Sequence, residues 1–142
     1  MRNVIRAKVG VVSCAGEELA EGTVSRLATL KVLHDLRPGA TVTICLPLFL
    51  AGGEGDREFA RHHPTITVDG CDLRCAARAT ELYSAKPAVS LVVSEVVGAA
   101  GLPPPRGRRC LDGAGKQAVD VVANRIAQLV DDVLATRRGP TR

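Results

Sequence analysis

Four short apolar runs alternate along the chain with longer stretches whose apolar residues recur at helical spacing. Lys8 to Cys14 (KVGVVSC) is rich in Val and predicts a short buried strand, closed by a turn at Ala15-Gly16. From Glu17 to about Leu36, Leu19, Ala20, Val24, Leu27, Ala28 and Leu30 fall on one half of a helical wheel. Arg37-Pro38-Gly39 stops that helix. Thr41 to Leu46 (TVTICL) predicts a second strand, Thr65 to Val68 (TITV) a third, and Val89 to Val93 (VSLVV) a fourth. Between them, Asp56 to His62 predicts a short helix and Asp72 to about Tyr83 a longer one.

The last third reads differently. Pro103 to Pro105 force an extended connection within a Pro/Arg-rich segment over 98–115. A final helix follows over 116–136, with Ala118, Val122, Ile126, Leu129 and Val133 on one side and Asp120, Asn124, Gln128 and Asp131 on the other. Strands alternating with helices predict a mostly parallel sheet with helices on both faces. The expected architecture is one α/β domain over 1–142, a small Rossmann-like or flavodoxin-like three-layer sandwich with strand order 2-1-3-4. In such sheets, sites form outside the carboxyl ends of the strands, where the strand order reverses.

Composition narrows the function classes. The chain has 142 residues and is 46% hydrophobic, which suits one domain with a real core. Only 2% of residues are aromatic, so the core is aliphatic and base-stacking platforms are nearly absent. The net charge is +4, and Arg106, Arg108, Arg109, Arg137, Arg138 and Arg142 crowd the last third. Without a reading motif this is a solvated linker and tail, and no nucleic-acid partner is expected. No stretch reaches the ~18 apolar residues of a membrane helix, and Met1 to Lys8 lacks the apolar run of a signal peptide. These features predict a cytoplasmic chain with no membrane partner, where thiols stay reduced.

Five cysteines in a reducing compartment point to metal or redox chemistry rather than disulfides. Cys14 ends strand one, Cys45 lies near the end of strand two, and Cys71 follows strand three. Parallel strands put those three ends on one edge. Cys75 is four residues beyond Cys71, so two positions in the first helical turns would share a face about 5–6 Å apart. A helix starting near Asp72 would also set its positive end beside Cys71, favouring the thiolate that metal binding and nucleophilic attack both need. Zinc suits four such ligands, taking thiolates tetrahedrally at about 2.3 Å. The competing reading is four buried core cysteines, since free Cys is among the most buried residue types.

VVSCAG after strand one, a cysteine at the end of strand two, and VDGCDLRCA at Val68 to Ala76 together resemble the DGC-domain family of proposed zinc-binding proteins. The Asp-Gly-Cys triplet is Asp69, Gly70 and Cys71. The family's four characteristic cysteines map onto Cys14, Cys45, Cys71 and Cys75. The resemblance covers roughly residues 8–97 and implies metal binding without naming a biological purpose.

Other residues carry weaker signals. Asp69 is either a hydrogen-bond acceptor for amides beside the metal or an ordinary turn residue. Gly70 reads as a place where a side chain would block a close approach. Ser13, Ser94 and Glu95 lie at strand ends on the same edge, as capping groups or as holders of a water or substrate. His62 and His63 enter strand three from the opposite edge, and His34 reads as a surface residue. Cys110 is either outside the site or a fifth, exchangeable thiol. Gly52-Gly53-Glu54-Gly55-Asp56-Arg57 lacks the endings of the phosphate-binding loops and reads as a mobile flap, its ends anchored by Phe49 and Phe59.

Three functions remain in competition. A closed four-thiolate zinc site serves structure, sensing, storage or delivery, and leaves no open position for hydrolysis. A thiol enzyme or carrier would move sulfur, persulfide or a metalloid through Cys71 and Cys75. An iron–sulfur cluster is the third, and its brown colour distinguishes it from zinc. The sequence leaves open whether the chain is an enzyme. The apolar face of the final helix would also allow a homodimer.

Overall fold

The computed structural model describes residues 7–14, 16 and 18–137. The expected turn at Ala15, the start of the first helix at Glu17, most of the segment from Met1 to Lys8, and Arg138 and Arg142 lie outside the described residues. The four strands are β1 (Val9–Ser13), β2 (Thr41–Val42), β3 (Thr65–Asp69) and β4 (Val89–Val92). All pairings are parallel and the order is β2-β1-β3-β4, as the alternating pattern predicts. In register, Val11 lies opposite Ile66 and Val68 opposite Leu91. The order reverses between β1 and β3, so their carboxyl ends flank the switch point where ligands bind in this class of sheet.

The helices are α1 (Ala20–Lys31), α2 (Leu46–Leu50), α3 (Glu54–Arg57), α4 (Phe59–His62), α5 (Cys75–Tyr83), α6 (Val93–Ala99) and α7 (Gly113–Arg137). Successive strand residues point to opposite faces, and the two faces differ in chemistry. Val9, Val11, Ile66, Val68 and Leu91 belong to an aliphatic core with Val24 and Ala28 of α1, Val93 and Val97 of α6, and Val122 and Ile126 of α7. On the other face Val12 joins Phe49, Phe59, Leu46, Ala76 and Ala79 in a smaller cluster. There the alternate residues of β3 are Thr65, Thr67 and Asp69, all buried. Thr67 hydrogen-bonds Ser90 at 3.0 Å, which satisfies both hydroxyls under cover.

Several boundaries differ from the sequence-based expectation for identifiable reasons. Strand two ends at Val42, because Cys45 and Pro47 open α2, with the Cys45 carbonyl accepting the Phe49 N–H at 3.0 Å. The first helix ends at Lys31 and passes into one wide π turn, Val32–Leu36, where the Arg37 N–H reaches back to the Val32 carbonyl at 2.8 Å. Leu19 and Leu30 are 47% and 38% exposed, so the buried face of α1 runs instead through Ala20, Val24, Ala28, Thr23, Ser25 and Thr29. Val93 belongs to α6 and not to strand four; Val93 and Val97 at helical spacing fill the core. Ser94 and Glu95 therefore lie in the first turn of a helix.

The final helix starts at Gly113 rather than Lys116. Asp112 caps it, accepting the Gly115 N–H at 2.8 Å and the Arg106 N–H at 3.2 Å, bonds that hold its carboxyl below the usual range. The glycine loop leads into α3. Arg57 then closes it, donating to the Phe49 and Leu50 carbonyls at 3.3 and 3.4 Å and stacking over Tyr83 at 4.5 Å. Phe49 and Phe59 are both buried, as expected of anchors.

Candidate metal centre

Cys14 follows β1 directly and extends its pairing, with its N–H donating to the Val68 carbonyl at 3.0 Å. Its half-buried thiol lies 3.3 Å from the Ser25 hydroxyl and receives the Gly70 N–H at 3.4 Å. The Ser25 hydroxyl also donates to the Gly22 carbonyl at 2.6 Å, which holds it beside the Cys14 sulfur. Burial pushes the Cys14 thiol up from its ordinary value of 9.0; the bonds from Ser25 and Gly70 pull it down, and the charges of Asp69 and Cys75 push it up. The net shift is upward, which favours the protonated thiol.

Asp69 ends β3 on the same face as Thr65 and Thr67 and is 1% exposed. It accepts the Ala76 N–H at 2.7 Å and the Ala77 N–H at 3.1 Å. These are amides of the first turn of α5, which otherwise have no helical partner. Asp69 is thus the N-terminal cap of α5, reaching across six intervening residues to accept backbone amides. Burial raises its carboxyl above the ordinary 3.8, against the opposing pull of the two N–H bonds and of Arg74.

This cap moves the start of the helix. α5 begins at Cys75, not Asp72, with Arg74 in the left-handed region at φ 54°. Cys71 stands in the preceding turn, its carbonyl accepting the Arg74 N–H at 3.2 Å. Cys71 and Cys75 therefore do not stack on one helical face, and Cys75 is the residue at the helix's positive end.

Gly70 has a packing reason. A Cβ there would stand 2.5 Å from the Gly22 nitrogen and 2.7 Å from its Cα, and one on Gly22 would stand 2.3 Å from the Gly16 Cα. Three backbones meet at the start of α1 with no room for a side chain. That contact lays the Asp-Gly-Cys turn against α1 and brings the Gly70 amide to the Cys14 sulfur.

Cys45 is exposed and Cys71 half-buried, while Cys75 and Cys110 are exposed; all five thiols are free. Cys14 and Cys45 line one cavity of about 360 Å³ between α1 and the turn after β2. Cys14 and Cys71 follow the carboxyl ends of β1 and β3, Cys45 precedes α2 and Cys75 opens α5, but among the described residues no three Cys, His, Asp or Glu side chains are gathered into a ready ligand set. The donor types suit a thiophilic ion; the arrangement is open. Cys110 lies on the returning connection, which Thr23 of α1 ties down by donating to the Arg108 carbonyl. His62 and His63 stand before β3 at the other edge, His62 facing Glu58 and His63 packing on Phe59, and His34 is exposed. Among the described residues no helix is long and apolar enough to cross a membrane.

Neither the curated proteins nor the solved structures compared with the chain include a match. The family model described as "DGC domain" matches residues 10–101, from the Gly10 of β1 through α6. Those residues hold all four of these cysteines and the Asp69-Gly70-Cys71 turn whose packing is described above, and the chain belongs to the DGC-domain family.

Proposed function

We propose that this chain is a metal-handling protein in which Cys14, Cys45, Cys71 and Cys75 hold one zinc ion for sensing, storage or delivery. The contact that carries this reading is between the Asp-Gly-Cys turn and Cys14, in which the Gly70 amide donates to the Cys14 sulfur at 3.4 Å. This bond ties Cys14, just after β1, to the residue that precedes Cys71, which supports a shared site for the two thiols. Zinc takes tetrahedral thiolates, so closing the set requires Cys45 and the 71–75 turn to draw toward Cys14. Both lie on short connections: Cys45 between a two-residue strand and a five-residue helix, Cys71 in the turn before α5. Asp69 supports the site without ligating, because both its oxygens are committed to α5 amides. Binding must also displace the Cys14 proton, so affinity rises with pH up to the thiol range.

The test is metal content per chain after purification under reducing conditions. Cys71→Ser is expected to lose most of the metal and Cys110→Ser to keep most of it. Loss on Cys110→Ser alone, with retention on Cys71→Ser, would make this ligand set wrong. A brown protein carrying iron would replace zinc with a cluster.

A further inference from the structure

The cavity shared by Cys14 and Cys45 has a composition that a bare metal site does not need. Leu30, Ile44 and Leu46 supply apolar wall, and Arg26 of α1 stands at its rim. Arg26 is exposed, and no carboxylate among the described residues pairs with it. Leu30 is 38% exposed beside it, an apolar side chain left open to solvent on a helix whose neighbouring residues are buried. Of the two thiols, Cys14 is half-buried and bonded to Ser25 and Gly70, whereas Cys45 is exposed and has no such bonds. A cavity with one free guanidinium, an apolar wall and one accessible thiol is complementary to a small organic molecule with an apolar body, a carboxylate and a sulfur.

We propose that this cavity binds small carboxylate-bearing disulfides and that Cys45 is thiolated there. The carboxylate pairs with Arg26 and the body lies on Leu30 and Ile44. The Cys45 thiolate, its proton released to solvent, attacks one sulfur of the disulfide. A bond forms between Cys45 and that half, the original S–S bond breaks, and the other half leaves as thiolate with the electron pair. The small disulfide is the oxidant and is reduced; Cys45 is oxidised. The proposal does not depend on a bound metal.

Metal-free reduced protein, freed of reductant, is mixed with limiting amounts of either of two probes. One is an aromatic disulfide with a carboxylate on each ring; the other is a dipyridyl disulfide with none. Mass spectrometry of peptides gives the rate at Cys45 for each probe. Local charge typically raises such rates by about tenfold or more, so the charged-to-neutral ratio at Cys45 is expected to fall about tenfold in Arg26→Gln and to be restored in Arg26→Lys. High salt should lower the ratio in the wild type and in Arg26→Lys but not in Arg26→Gln. A ratio unchanged within about twofold in Arg26→Gln overturns the proposal. So does equal preference at Cys45 in the urea-unfolded chain, or modification that falls first on Cys14.

Discussion

The two faces of the sheet are made by the same strands and do different jobs. On one face, Val9, Val11, Ile66, Val68 and Leu91 meet three helices in a continuous aliphatic core. On the other, Thr65, Thr67, Asp69 and Ser90 alternate with them under α5, and only a small cluster around Val12 and Phe49 is apolar. Within β3 alone the sequence Thr-Ile-Thr-Val-Asp divides its residues between the faces one by one. Stability is concentrated on the aliphatic face. The polar face ends in Asp69, whose carboxylate fixes where α5 begins and hence where Cys75 stands. The aliphatic core contains no cysteine, whereas Cys14 packs against the smaller cluster of the other face.

The largest expected effect comes from the aliphatic face. Ile126 is fully buried in α7, and Ile126→Ala should lower unfolding free energy by about 2–5 kcal/mol. Urea unfolding measures this, while metal content per folded chain should stay near the wild-type level. Parallel loss of metal from folded chains would break the separation of scaffold and site.

Gly70→Ala should come next and should strike both properties. The added Cβ meets backbone at 2.5 Å, and overpacking of this kind costs about 1–3 kcal/mol. The displaced turn also withdraws its amide from Cys14. Unfolding and metal content, measured on one preparation, should both fall; a destabilised variant with full metal would show that the Gly70 contact is packing alone.

Asp69→Asn should have the smallest effect on stability at neutral pH, within about 1.5 kcal/mol, since a charge buried at a cost is removed along with one good acceptor. Its signature is in the pH dependence. The native Asp69 carboxyl is held above 3.8, so the folded chain binds this proton more tightly than the unfolded one. Its contribution is therefore largest at and below the ordinary value and is lost as pH rises through the native one. Wild type minus Asn, from urea unfolding across that acid window, should fall with rising pH. Parallel curves would show that burial leaves Asp69 unperturbed.

Much of this was legible in the residues. The aliphatic strands and their parallel order follow from alternation, because buried parallel strands announce themselves as Val-rich runs. The misreadings share one cause: a capping carboxylate, a proline and two hydroxyls, which the apolar pattern does not register, set the boundaries. The helix expected from Asp72 begins at Cys75 instead, capped by Asp69 from the end of β3. Val42 and Ile44 alternate like a longer strand, but Pro47 fits the first turn of a helix and ends it. Leu19 and Leu30 fit a helical stripe, yet the helix buries Ser25 and Thr29 instead, because their hydroxyls find the Gly22 and Ser25 carbonyls. The contact of Gly16, Gly22 and Gly70 could not be seen in advance, since nothing local marks three separate glycines as neighbours.

The central claim, a binding edge on an independent scaffold, is tested most directly by far-ultraviolet circular dichroism of the metal-loaded protein before and after exhaustive chelation under reducing conditions. A zinc finger unfolds without its metal because it has no other core. Here the spectrum should keep its helix and strand signal after chelation, with a lower melting temperature. Collapse to a disordered spectrum would contradict the account and make the metal a structural staple.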